Sequence, residues 1–178
     1  MNFLDLAQKR RSCRSYSDRA VSRESLERCL QAARLAPSAC NSQPWRFIVV
    51  AEESLRQELG RRAFGGLYQM NQFALGAPVL IAVVREASAY AAMIGAVLRG
   101  TSYSLLDIGI ACEHLVLQAE EEGLGTCWIG WFNERAVKKT LEIPFYKKVE
   151  VIISLGYPSE RKDQKKNRKE LHEISEFR

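Results

Sequence analysis

The stretch Ala36-Pro37-Ser38-Ala39-Cys40-Asn41-Ser42-Gln43-Pro44-Trp45-Arg46-Phe47, running into Ile48-Val49-Val50, decides how the rest of the chain is read. Pro37 and Pro44 fix the backbone near its two ends, and the Ser, Asn and Gln between them supply hydrogen-bonding groups. The segment therefore reads as a rigid polar loop whose donors face outward. An amphipathic helix before it and an apolar strand after it, over Phe47 to Ala51, pin both ends, as expected of a segment that holds a ligand. By itself the stretch reads equally well as an ordinary helix-to-strand connection.

Upstream, Val21 and Leu26 bracket Ser22 as a hydrophobic staple around an N-cap, and Leu26, Cys29, Leu30 and Ala33 carry a helix to a stop at Pro37. Asn2 to Lys9 sets Phe3, Leu4, Leu6 and Ala7 on one helical stripe. Arg10-Arg11-Ser12-Cys13-Arg14-Ser15 follows, with three guanidinium groups and two hydroxyls in six residues. Such a cluster suits a phosphate monoester, because Arg offers forked donors and Ser a short one close to the backbone. A solvated basic surface is the plainer reading of the same residues.

Downstream, Ser54 reads as the cap of a short helix through Arg62, Phe64-Gly65-Gly66-Leu67-Tyr68 as a flexible aromatic loop, and Pro78 to Val84 as an interior strand. A helical pattern rich in small residues runs from Ala89 to Glu122 with a break near Gly100-Thr101. Its second half, from Tyr103, is apolar nearly all round, which predicts a central or interface helix. His114 has no second ligand at metal spacing and reads as a hydrogen-bonded histidine. Gly123 is a C-cap, Leu124 to Phe132 a strand entering an aromatic turn, Asn133 the cap of a helix through Leu141, and Val149 to Leu155 a fourth strand. A basic tail follows, with Arg161, Lys162, Lys165, Lys166, Arg168 and Lys169.

The 178 residues are 47% apolar and 26% charged, which fits one globular domain spanning 1–178. No apolar run is long enough for a bilayer and Met1 to Arg14 lacks a signal-peptide centre, so the expected location is cytoplasmic, without a membrane partner. Five cysteines with no CxxC pair argue against a disulfide frame and a zinc ribbon. The formal charge of +5 comes from residues 1–46, which hold nine Lys/Arg against four Asp/Glu. Without a long basic face or a reader motif, a small phosphorylated ligand fits this excess better than nucleic acid.

Four blocks in order carry a resemblance over essentially the whole chain. They are Arg10-Arg11-Ser12-Cys13-Arg14, Pro37 to Trp45, Gly123-Leu124-Gly125-Thr126-Cys127-Trp128-Ile129-Gly130, and Leu155-Gly156-Tyr157-Pro158 with the basic tail. Together they resemble the nitroreductase family of flavin mononucleotide (FMN) enzymes. The resemblance implies an α+β fold with a central mixed or antiparallel sheet flanked by helices. It also implies an interlocked homodimer, in which residues 158–178 serve both the flavin phosphate and the dimer. It implies that Arg10, Ser12, Lys166 and Arg168 hold the phosphate, that Arg11 adds backbone or charge contacts, that Arg14 and Asn71 reach the pyrimidine edge, and that Pro37, Ser38, Ala39, Asn41 and Gln43 line the flavin from the partner subunit. A backbone N–H around Ile129, Gly130 and Trp131 would meet N5. Phe64, Tyr68, Trp131 and Phe132 are candidate pocket walls, and equally ordinary as core packing.

The implied activity is reduction of nitroaromatic, quinone or other electron-poor small molecules by NADH or NADPH, in a ping-pong exchange at flavin N5 with no catalytic side chain. Ala39 stands where the family often has Ser, and Trp131 where many relatives have a smaller residue. The short chain implies a more open acceptor pocket. The alternatives are the same fold with other flavin chemistry (ene reduction, dehalogenation or flavin processing) and a non-enzymatic basic module for nucleic acid or an acidic partner.

Overall fold

Alternation along one strand organises the molecule. Val79, Ile81 and Val83 of β2 (Val79–Arg85) pack on one face of the sheet and Leu80, Ala82 and Val84 on the other, so the strand is buried on both sides. The computed structural model describes residues 2–87, 100–160 and 166–178. Among them, β1 (Trp45–Val50), β2, β3 (Gly125–Ile129) and β4 (Lys148–Gly156) form a four-stranded sheet in the order β1-β2-β4-β3. Every named pair is antiparallel. Of the mixed or antiparallel expectation, the second term holds for the strands themselves. The parallel component is a single bridge, Ser12 to Thr126, at the free edge of β3. A register shift opposite Val83/Val84 turns Val149 to the face opposite Val151 and leaves Glu150 to pair with Arg85 at 3.1 Å.

On one face lie α2 (Arg23–Arg34) and α4 (Tyr103–Glu121), contributing Leu26, Cys29, Ala33, Ile108, Cys112 and Leu115 to a shared core. On the other lie α3 (Glu53–Ala63), α5 (Glu134–Thr140) and a 3-10 stretch, Gly66–Gly76, around Leu59, Phe64 and Val137. Short α1 (Phe3–Lys9) packs along α4 at the outer edge, and α6 (Leu171–Ile174) lies in the tail.

The expected caps are present. Ser22 accepts from Ser25 N, and Asn133 accepts from Ala136 N at 3.1 Å. Gly123, at φ 77, ends α4 with Leu124 N donating to Ala119 O at 2.8 Å and Gly123 N to Glu120 O at 3.0 Å. Other boundaries differ. Helix α2 stops at Arg34, ahead of Pro37, and β1 runs from Trp45 to Val50. Glu52, not Ser54, caps α3, because its carboxylate reaches both Ser54 N at 2.8 Å and Leu55 N at 2.7 Å. The aromatic loop after α3 is instead the 3-10 stretch, held by Arg56 Nη1 donating to Leu75 O and Ala77 O. The first half of the helix expected from Ala89, like Arg161, Lys162 and Lys165, lies outside the described residues; Gly100, at φ 61, precedes α4.

Candidate functional site

A cleft of ≈ 950 Å³ opens where the two ends of the chain meet at the edge of the sheet. Arg10, Arg11, Ser12 and Arg14 line it from one side, and Lys166 and Arg168 from the tail on the other. The resemblance implies that these six serve one ligand, and the fold brings them to one cleft. Lys166 Nζ donates to Ala7 O at 2.6 Å, which ties the tail to the end of α1.

The arginine segment is held by strand chemistry. Cys13 N donates to Thr126 O at 2.8 Å, so residues 12 and 13 extend the sheet beyond β3. Gly125 makes that approach possible: a Cβ there would lie 2.7 Å from Cys13 Cβ and 2.8 Å from its Sγ. Behind the segment, the Tyr16 hydroxyl donates to Cys13 O at 2.9 Å and meets Ser154 Oγ at 2.8 Å, anchoring it to β4. Burial raises the Tyr16 phenol far above its ordinary value. Burial likewise raises the Cys127 thiol, and it pushes Cys29 and Cys112 up to about 12, so these three are packing residues.

Electrostatics mark the cleft as cationic. Lys166 is held below the ordinary lysine range, first by burial and then by the charges of Arg10, Arg168 and Arg11, with Glu120 acting the other way. Three guanidinium groups crowd one ammonium, which is the arrangement an anion with several oxygens relieves. Arg10 also lies 3.9 Å from Glu113 of α4.

Arg14 links the cleft to a second surface. Its guanidinium lies 5.9 Å from the centre of the Phe73 ring, within the 3-10 stretch. The same stretch grips the end of β3. Asn71 Nδ2 donates to Trp131 O at 2.7 Å, the Trp131 indole N–H donates to Leu67 O at 3.4 Å, and the Tyr68 and Trp131 rings stand 5.3 Å apart. Trp131 is still 58% exposed, so its ring is presented to a visitor. Ile129 and Gly130 lead into it, about 10 Å of strand beyond the Ser12 to Thr126 bridge. Phe64 and Phe132, by contrast, are buried in the core. The neighbouring glycines made Phe64 look like loop, yet it closes the packing under α3.

The polar loop lies apart from the cleft; none of Pro37, Ser38, Ala39, Asn41 and Gln43 lines it. Much of the loop's hydrogen bonding is internal. Asn41 N donates to Ser38 O at 3.0 Å, Gln43 N to Ser38 Oγ at 3.0 Å, Gln43 Nε2 to Asn41 Oδ1 at 3.1 Å, and the Ser42 hydroxyl to Ala39 O. Cys40, Asn41 and Gln43 have φ of 52°, 52° and 45°, a left-handed backbone that costs a non-glycine residue about 1–2 kcal/mol. Sequence reasoning missed the outside anchor, the Asp107 carboxylate of α4, which accepts from Ala39 N at 3.1 Å. Its signal was a single acid set among Leu105, Leu106 and Ile108. His114 is a hydrogen-bonded histidine, with Nδ1 3.3 Å from Ala32 O.

The sheet between helices and the cationic cleft at its edge define an α+β protein suited to a phosphorylated small molecule. The comparison with known proteins carries this further. The model of the nitroreductase family matches residues 7–157. A protein of Archaeoglobus fulgidus, provisionally named an NADH dehydrogenase/NAD(P)H nitroreductase, is 33% identical over 90% of this chain and 87% of its own. Iodotyrosine deiodinase of Thermotoga neapolitana is 30% identical over 89% of each chain. An FMN-dependent nitroreductase of Clostridium difficile R20291 superposes with a TM-score of 0.78, at 29% identity and 98% coverage of both chains. The chain belongs to the nitroreductase family of enzymes. No described helix is long and apolar enough to cross a membrane.

Proposed function

We propose that this protein is an FMN-dependent oxidoreductase that takes hydride from NADH or NADPH and passes it to nitroaromatic, quinone or similar electron-poor acceptors. The observation that carries this reading is the meeting of Arg10, Arg11 and Ser12 with Lys166 and Arg168 in one cleft. The depressed Lys166 proton affinity fits a bound dianion there, since a phosphate monoester carries nearly two negative charges at neutral pH. FMN, when bound, supplies hydride exchange at its N5. The chain's residues supply position and charge: the cationic set holds the phosphate, Arg14 offsets negative charge on the pyrimidine side, and the backbone at Ile129 to Trp131 offers an N–H toward N5. The exposed Trp131 ring, braced by Leu67 O and Tyr68, gives a planar acceptor a stacking surface.

The working unit in this reading is a homodimer. Phe3 and Leu4 of α1 are 66% and 78% exposed, and beside them α4 leaves Leu105, Leu106 and Ile110 uncovered, an apolar face that a second copy would bury. The polar loop then has a flavin to line in the other subunit. A second reading, reductive dehalogenation of a halogenated phenol, draws support from the likeness to iodotyrosine deiodinase. The purified protein is expected to be yellow and to bleach anaerobically with NADH or NADPH. A bound flavin that neither donor reduces would remove the reductase reading, and halide release from an iodophenol, without nitro reduction, would favour the second.

A further inference from the structure

We propose that Asp107 is a positioning residue for the cofactor: it sets the backbone of the Ala39–Asn41 turn, and through that turn the grip on FMN. This deepens the FMN reading above and rests on it. Asp107 sits inside α4 among apolar neighbours and is only 5% exposed. Burying a carboxylate is costly unless its oxygens are paired. Here Oδ1 accepts the Ala39 N–H, and Oδ2 has no hydrogen-bond partner among the described residues. A hydrophobic residue of similar size would avoid the cost of the buried charge and lose one hydrogen bond, to the half-buried Ala39 N–H. The carboxylate is therefore a poor contributor to stability, and what it does achieve is local and geometric.

The group it holds lies one residue before the left-handed pair Cys40 and Asn41. Asn tolerates that backbone and Cys does not, so the turn persists only where its surroundings over-determine it. Ser38 Oγ, accepting from Gln43 N, fixes the far side of the turn; Asp107, reaching across 68 residues of sequence, fixes the near side. The bonds of Asn41 N, Gln43 N and Gln43 Nε2 run within the loop itself and would move with it, while Pro44 O, accepting from Glu86 N at 3.0 Å, ties the far end of the loop to the end of β2. Asp107 is thus the point at which the turn is referenced to the core helix.

This makes stability and ligand affinity respond in opposite ways, which a purely structural role would not do. In Asp107→Leu, the melting temperature of the FMN-free protein is expected to stay level or rise, while the Kd for FMN rises about tenfold. Asp107→Asn keeps an oxygen acceptor for the Ala39 N–H and is expected to bind FMN within about threefold of wild type. Both variants are measured by fluorescence titration with FMN and by thermal unfolding without it. Unchanged FMN affinity in Asp107→Leu overturns the inference, as does an Asp107→Asn protein that binds as weakly as Asp107→Leu. A lowered melting temperature with normal FMN affinity would mark a structural residue and overturn it too. If wild type binds no FMN, the FMN reading fails and takes this inference with it; if wild type binds and the variants do not differ from it, the inference alone fails.

Discussion

The basic cleft and the polar loop reach order by opposite routes. The cleft gathers residues from the two ends of the chain, and its charges repel: Arg10, Arg11 and Arg168 all disfavour the Lys166 proton. The loop is contiguous, and its Gln43 and Ala39 amides are met within itself and by Asp107. One region concentrates like charge that an anion would offset, whereas the other is bonded largely within itself and strained. Binding energy is therefore expected from the cleft and geometry from the loop.

The largest test of that division removes the tail's charges. Lys166→Ala with Arg168→Ala is expected to weaken FMN binding about a hundredfold, since charge-assisted hydrogen bonds contribute roughly 1.5–3 kcal/mol each. Arg10→Ala should weaken it about tenfold by the same measure, in equilibrium dialysis at fixed ionic strength. A Ser38→Ala protein that lost more affinity than the tail variant would invert the comparison.

Arg14 stands between the two regions, lining the cleft while its guanidinium faces Phe73. Arg14→Ala is expected to change affinity little and to lower the flavin midpoint potential by on the order of 30 mV, about 1.4 kcal/mol for a two-electron couple. An unchanged potential in a spectroelectrochemical titration would move Arg14 into the phosphate set.

A smaller effect sharpens the electrostatic half. The Lys166 pKa in the folded protein lies below its ordinary value of 10.5. Between those two values the unfolded chain binds the proton more tightly, so the Lys166 contribution to stability without ligand rises with pH. A bound dianion favours the charged amine, so FMN affinity falls over the same interval. Subtracting the profile of Lys166→Met isolates both slopes, and slopes of the same sign would contradict the assignment.

How far this was legible from residues follows from the range of the forces. The interior strand Val79–Arg85 showed as an unbroken apolar run, and Ser22, Gly123 and Asn133 announced themselves because a cap acts within three residues. The cleft was legible through the resemblance, since nothing local joins Arg10 to Arg168. Glu52 was missed because the two residues flanking the helix start both offered oxygens, and the longer carboxylate reached two amides where the Ser54 hydroxyl reaches none. The tail showed only charge and hid α6, whose Glu170 and Glu173 form a capping box. The apolar stripe of α1 was seen, yet α1 contains no buried residue. Asp107 was out of reach because its partner is 68 residues away.

The central claim is that cationic side chains from both ends of the chain hold a phosphate. It is tested most directly by titrating the flavin-free protein with FMN and with riboflavin, which differ only in that phosphate. FMN is expected to bind at least about a hundredfold more tightly, the worth of two or more charge-assisted contacts, with an advantage that shrinks as salt is raised. Equal affinity for the two, or a preference indifferent to salt, would contradict it.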